Sequence, residues 1–247
     1  MNEAASTALG LLVTVAALWW LSSLVASHLQ GLILLLTGSS TASSAGYDLA
    51  VLPGVVLHEL AHMLIAILLG VRIVRANLFR FRRPGDPRQG EVIVERVDPV
   101  RMSLVGAGPL LAGLPVVLLL LHWLHVPPLG LTPGVIQVLR PLLGEPWSLL
   151  RLYLLWAIAN TMFPSAADRA AWWIIGIAGL LVAAVGALTG YWLALPPRMA
   201  DTVLAGAARL TSGLLPVVAL DLLLLALIIG LEWLTGRITG RRLIKTH

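Results

Sequence analysis

Between Glu3 and Asp48 the chain carries no acidic or basic side chain except His28, a run of 44 residues. Crossing the ~30 Å hydrocarbon core of a bilayer as a helix takes about 20 apolar residues. A run of this length and character therefore demands a membrane helix. The rest of the chain agrees. Hydrophobic residues make up 58% of it and charged residues 12%, against about half and a quarter in soluble domains. The expected fold is an all-α polytopic membrane protein formed by residues 1–247 as a single domain.

Apolar runs and breakers place about six transmembrane helices, at 7–30, 48–70, 102–126, 147–163, 171–195 and 213–234. The Ser/Gly-rich stretch 37–46 reads as a loop, and 127–146 as a Pro/Gly-rich loop with an interfacial turn near 135–143. An amphipathic stretch at 199–211 leads into the sixth span. After the second helix, 71–98 alternates in part around Pro84-Gly85-Asp86-Pro87 and is rich in β-branched residues. It reads as a small β-hairpin or sheet at the membrane surface. With six alternating spans, 13 of the 17 Lys and Arg fall on one side, which the positive-inside rule makes cytoplasmic. Both termini are then expected there, and an odd span count would break the asymmetry. Glu3, with no basic cluster beside it, argues against a cleaved signal peptide. The basic residues sit in loops in a membrane pattern, so the net charge of +5 does not point to nucleic acid.

Within the second span lies His58-Glu59-Leu60-Ala61-His62. With 6 His and 6 Glu in 247 residues, an H-E-x-x-H arises by chance about 0.004 times. On a helix, residues i and i+4 share a face, so both imidazoles reach one metal ion. Glu59 stands beside them as general base for a water activated by that metal. Ionisable groups inside a membrane are expensive and mark function. The chain has no cysteine, so nitrogen and oxygen donors must hold the metal, which suits Zn²⁺.

A catalytic zinc takes three protein ligands and keeps one position open. Asp168 is the leading candidate for the third. It follows the helix break at Pro164, and the second and fourth spans descend to the same side. Asp221, inside the sixth span, is the rival, with an interhelical contact as its plainer role. Asp48 reads as an interfacial helix cap and Glu232 as an interfacial charge. His28, His122, His125 and His247 read as structural or interfacial, and the 9 Trp as anchors and packing.

Together these segments resemble the site-2 protease family of intramembrane zinc metalloproteases. The matching segments are His58 to His62, the central Ala107-Gly108-Pro109-Leu110-Leu111, and Asn160 to Asp168 with Pro164 between them. The proline stands one position later than is usual in that family, and Arg169 occupies the place of a glycine. The resemblance implies metal ligation by His58, His62 and Asp168 and catalysis by Glu59. It also implies substrate or oxyanion contacts from Asn160, Gly108 and Pro109, and a β-structured segment after the metal helix.

The expected activity is hydrolysis of peptide bonds in transmembrane protein substrates. A substrate helix hides its peptide bonds and must unwind first. An edge strand from 71–98 would then hold it by β-augmentation. Two other classes stay open: a zinc-binding or transport protein, and a protease-like membrane protein that binds helices without cutting them. A structural zinc site would be closed by four protein ligands and leave Glu59 dispensable.

Overall fold

The computed structural model describes residues 3–81, 89–124, 146–189 and 197–240. The loop expected over 127–145 with its turn near 135–143, His125 and His247 lie outside them. The described elements are α1 (Glu3–Thr37), α2 (Ser40–Ala50), α3 (Leu52–Leu68), β1 (Ile73–Asn77), β2 (Glu91–Val94), α4 (Pro99–Trp123), α5 (Ser148–Thr161), a 3-10 turn (Asp168–Ala171), α6 (Trp172–Thr189) and α7 (Pro197–Thr239). Among the described residues, three helices are long and apolar enough to cross a membrane: α1, α4 and α7. The pair α2 and α3, bent by 64°, makes up to a fourth.

Beside an apolar core, helix α3 shows an inverted surface, apolar towards the outside and polar towards the inside. On α3, Leu60, Leu64, Ile67 and Leu68 are exposed, whereas Glu59 and His62 are buried. The 0, 4, 7, 8 spacing of the exposed leucines and isoleucine is one helical stripe. In water such a surface would aggregate, and in lipid it is solvated.

The structure departs from the expected layout in three places. The predicted loop at 37–46 is mostly α2, which Ser39 caps by accepting from the Ala42 N–H at 3.2 Å. The amphipathic stretch 199–211 and the sixth span are one continuous helix, α7, that runs through Pro216. The fourth span is only α5, 14 residues long, or about 21 Å at 1.5 Å per residue. That is short of the ~30 Å core. Leu155 to Ala159 are buried in unbroken succession, whereas Leu149, Leu150 and Tyr153 are exposed, so the second half of α5 is walled by protein all round.

The chain direction differs as well. Six alternating crossings would set the first and last spans antiparallel. Instead a Cβ on Gly10 would lie 3.8 Å from Thr211 Cγ2, and His28 Nδ1 lies 2.6 Å from Glu232 Oε2. Two contacts in the same order make α1 and α7 parallel. His28 and Glu232, read as unrelated interfacial groups, are partners between these helices.

Helix α3 ends as its sequence dictates. Gly70 adopts φ 65°, a conformation open to glycine. Its N–H donates to Ile67 O, and the Val71 N–H donates to Ala66 O at 2.8 Å. This paired closure of the last turn turns the chain into the hairpin, and Val71 packs with Ala66 and Val105. β1 and β2 are antiparallel, with Ile73 opposite Val94 and Asn77 opposite Glu91, and a bulge between Ile73 and Arg75. The β-structure expected at 71–98 is therefore present as two short strands.

Candidate metal centre

His58 and His62 are each fixed by a backbone carbonyl from a neighbouring helix. His58 Nδ1 lies 2.7 Å from Thr161 O, at the end of α5. His62 Nδ1 lies 2.8 Å from Val105 O, in α4. A carbonyl oxygen only accepts, so both Nδ1 atoms carry the proton. Both Nε2 lone pairs are left to face inwards, the tautomer a metal ligand needs.

Asp168 completes the cluster. Its Oδ1 lies 3.2 Å from His62 Nε2, and its Oδ2 lies 3.6 Å from His58 Nε2. The two Nε2 atoms are 3.2 Å apart. Two lone pairs and a carboxylate converge with no hydrogen between them, which is repulsive unless a cation sits among them. For ligand atoms about 2.0–2.1 Å from a tetrahedral ion, the ligand–ligand edge is about 3.3 Å. The observed separations match that edge, so these three residues could hold a metal ion.

A local motif places Asp168. Ser165-Ala166-Ala167-Asp168 closes a reciprocal box: the Ser165 N–H donates to Asp168 Oδ2 at 2.7 Å, and the Asp168 N–H donates to Ser165 Oγ at 3.3 Å. This is the S-x-x-E capping arrangement with a shorter acid. The turn then presses on α4 where Gly106 leaves room, since a Cβ there would meet Asp168 O. Sequence reasoning singled out Asp168 but missed Ser165 and Gly106. The S-x-x-D spacing was the available signal for Ser165.

Glu59 is buried beside the cluster, at 7% exposure. It borders a cleft of about 980 Å³ lined by His58, His62, Asn160, Thr161 and Asp168 on one side. On the other side run Gln89 to Val94; the sheet's contribution comes from β2 and its lead-in, with none from β1.

The remaining expected residues fall elsewhere. Asp221 stands apart from the metal cluster. It is 1% exposed and accepts from Asn160 Nδ2 at 2.9 Å, the interhelical role that was its plainer reading. Asn160 Nδ2 also donates to Trp156 O at 2.9 Å. Both its N–H groups are thus committed, and as placed it has no donor left for an oxyanion. Gly108 and Pro109 do not line the cleft. A Cβ on Gly108 would lie 3.0 Å from Ala61 O, so this glycine lets α3 and α4 approach each other. Asp48 is not a surface cap but a fully buried residue of α2.

No family model matches the chain, and no curated protein or solved structure is found to be similar to it.

Proposed function

We propose that the protein is an intramembrane zinc metalloprotease related to the site-2 proteases, cutting transmembrane protein substrates. The observation that carries this reading is Glu59 beside the His58–His62–Asp168 cluster, in a cleft with a β-strand along one wall. A purely structural zinc site would use four protein ligands, whereas this cluster offers three. A buried glutamate next to it has no evident structural task.

When bound, zinc supplies a Lewis acid that polarises the scissile carbonyl and acidifies a water. His58, held by Thr161 O, and His62, held by Val105 O, keep their donor atoms aimed without reorganisation. Glu59 takes the proton of the attacking water as its oxygen bonds to the carbonyl carbon. Glu59 then delivers that proton to the amide nitrogen as the C–N bond breaks. The outer edge of β2 receives the unwound substrate as an added strand.

The topology that goes with this reading has the hairpin, the 164–171 turn and the C-terminus on the cytoplasmic side. The N-terminus lies opposite, because α1 runs parallel to α7, and α2–α3 is a re-entrant pair. No Lys or Arg precedes Arg72, so reversing α1 leaves the basic asymmetry intact.

The deciding experiment uses purified protein in lipid nanodiscs with a single-span reporter substrate. The wild type should bind one zinc per chain and cut the reporter, and a chelator should stop it. Glu59→Gln should keep the zinc and lose at least about a thousandfold in rate, on the scale of removing both a base and its proton delivery. Undiminished cleavage by Glu59→Gln would falsify the mechanism.

A further inference from the structure

Asp48 is the most deeply buried acid among the described residues, at 0% exposure. It lies near the end of α2, just before the bend into the metal helix. Its Oδ1 accepts from Gln89 Nε2 at 2.7 Å, a contact that spans 41 residues of sequence. Gln89 is held on a second side, since its carbonyl accepts from the Arg80 N–H. The next residue, Gly90, rests on the general base. A Cβ there would lie 2.5 Å from Glu59 Cγ and 2.7 Å from Glu59 Oε1. β2 begins one residue later and forms the cleft wall. Tyr47, beside Asp48, lines the same cleft.

A two-stranded hairpin is marginal by itself and needs packing or tethering from outside. Burying a carboxylate is costly unless it is hydrogen-bonded. The Asp48–Gln89 bond serves both needs. We propose that Asp48 is a positioning residue: by latching Gln89 it fixes the start of β2 above Glu59, and so sets the strand edge that receives substrate. The substrate cleft is then assembled by α2, an element without any metal ligand. This inference rests on the proteolytic reading for its kinetic consequence, but not for the latch itself.

The test combines two measurements on the full chain in nanodiscs: hydrogen exchange at the amides of Glu91–Val94, and reporter cleavage. Asp48→Asn retains an acceptor oxygen and should stay within about twofold of wild type in both. Asp48→Leu should speed exchange of these amides at least tenfold. It should raise KM about tenfold, with zinc content unchanged. Gln89→Leu breaks the same bond from the hairpin side and should shift exchange and KM in the same direction, and the double variant should fall short of the sum of the two. Gln89→Leu also serves if Asp48→Leu fails to fold. Unchanged exchange in Gln89→Leu, or simple additivity of the two variants, overturns the proposal. If wild type cuts nothing, the proteolytic reading falls while exchange still decides the latch.

Discussion

At the scale of single residues, the site depends on atoms that hold other atoms still. Ser165 is the clearest case, because its hydroxyl and N–H both engage Asp168. Ser165→Ala should weaken zinc binding about tenfold, the lower end of what loss of a ligand's supporting partner costs. Competition with a calibrated chelator measures this, and unchanged affinity would mean that the turn holds Asp168 without the box. Gly90→Ala is the companion prediction. Gly90 is not among the positive-φ glycines, so alanine is allowed there by backbone, yet its methyl would displace Glu59. We expect kcat to fall at least tenfold, about 1.4 kcal/mol in the barrier, with zinc content intact. Equal loss of zinc and activity would show instead that the α3 helix had moved. The histidines and Glu59 were legible because i, i+4 spacing is a property of the sequence. Their carbonyl partners, Thr161 O and Val105 O, were not, because every residue has a carbonyl and only packing selects among them.

At the scale of elements, α5 was legible as an apolar run ended by Pro164, but not as a short helix whose second half is enclosed by protein. Its residues read the same whether lipid or protein surrounds them. Enclosure is visible only through its neighbours: Gly54 of α3 lets Ala157 and Thr161 come against it, and Gly113 of α4 does the same for Met162. The Asn160–Asp221 bond then ties α5 to α7. Interhelical polar contacts in membranes contribute about 0.6–2 kcal/mol. A double-mutant cycle of Asn160→Ala and Asp221→Ala should give a coupling energy in that range in unfolding measurements. Asp221→Asn should keep zinc at one per chain. Zinc loss in that variant would instead make Asp221 a ligand.

At the scale of the whole molecule, apolar runs point to a membrane setting but carry no direction. Hydropathy has no sign along the chain, so a run reads alike whichever way the helix crosses. The positive-inside rule is equally silent about α1, since no basic residue precedes Arg72. Packing supplies the direction. Gly213 lies against Leu118, towards the far end of α4, and Asp221 lies against Asn160, one residue from the carbonyl that holds His58. α7 therefore travels towards the site and carries Arg237 to the hairpin's side. α1, contacting α7 in parallel at Thr211 and Glu232, travels the same way and begins on the opposite side. The absence of cysteine makes this directly measurable with single introduced thiols. In sealed vesicles, Ala5→Cys and Arg237→Cys should react with an impermeant maleimide from opposite faces, and Arg75→Cys in the hairpin should label with Arg237→Cys. Labelling of Ala5→Cys and Arg237→Cys from the same face would restore six alternating crossings. It would also require α1 to leave the parallel packing against α7 that the His28–Glu232 contact holds.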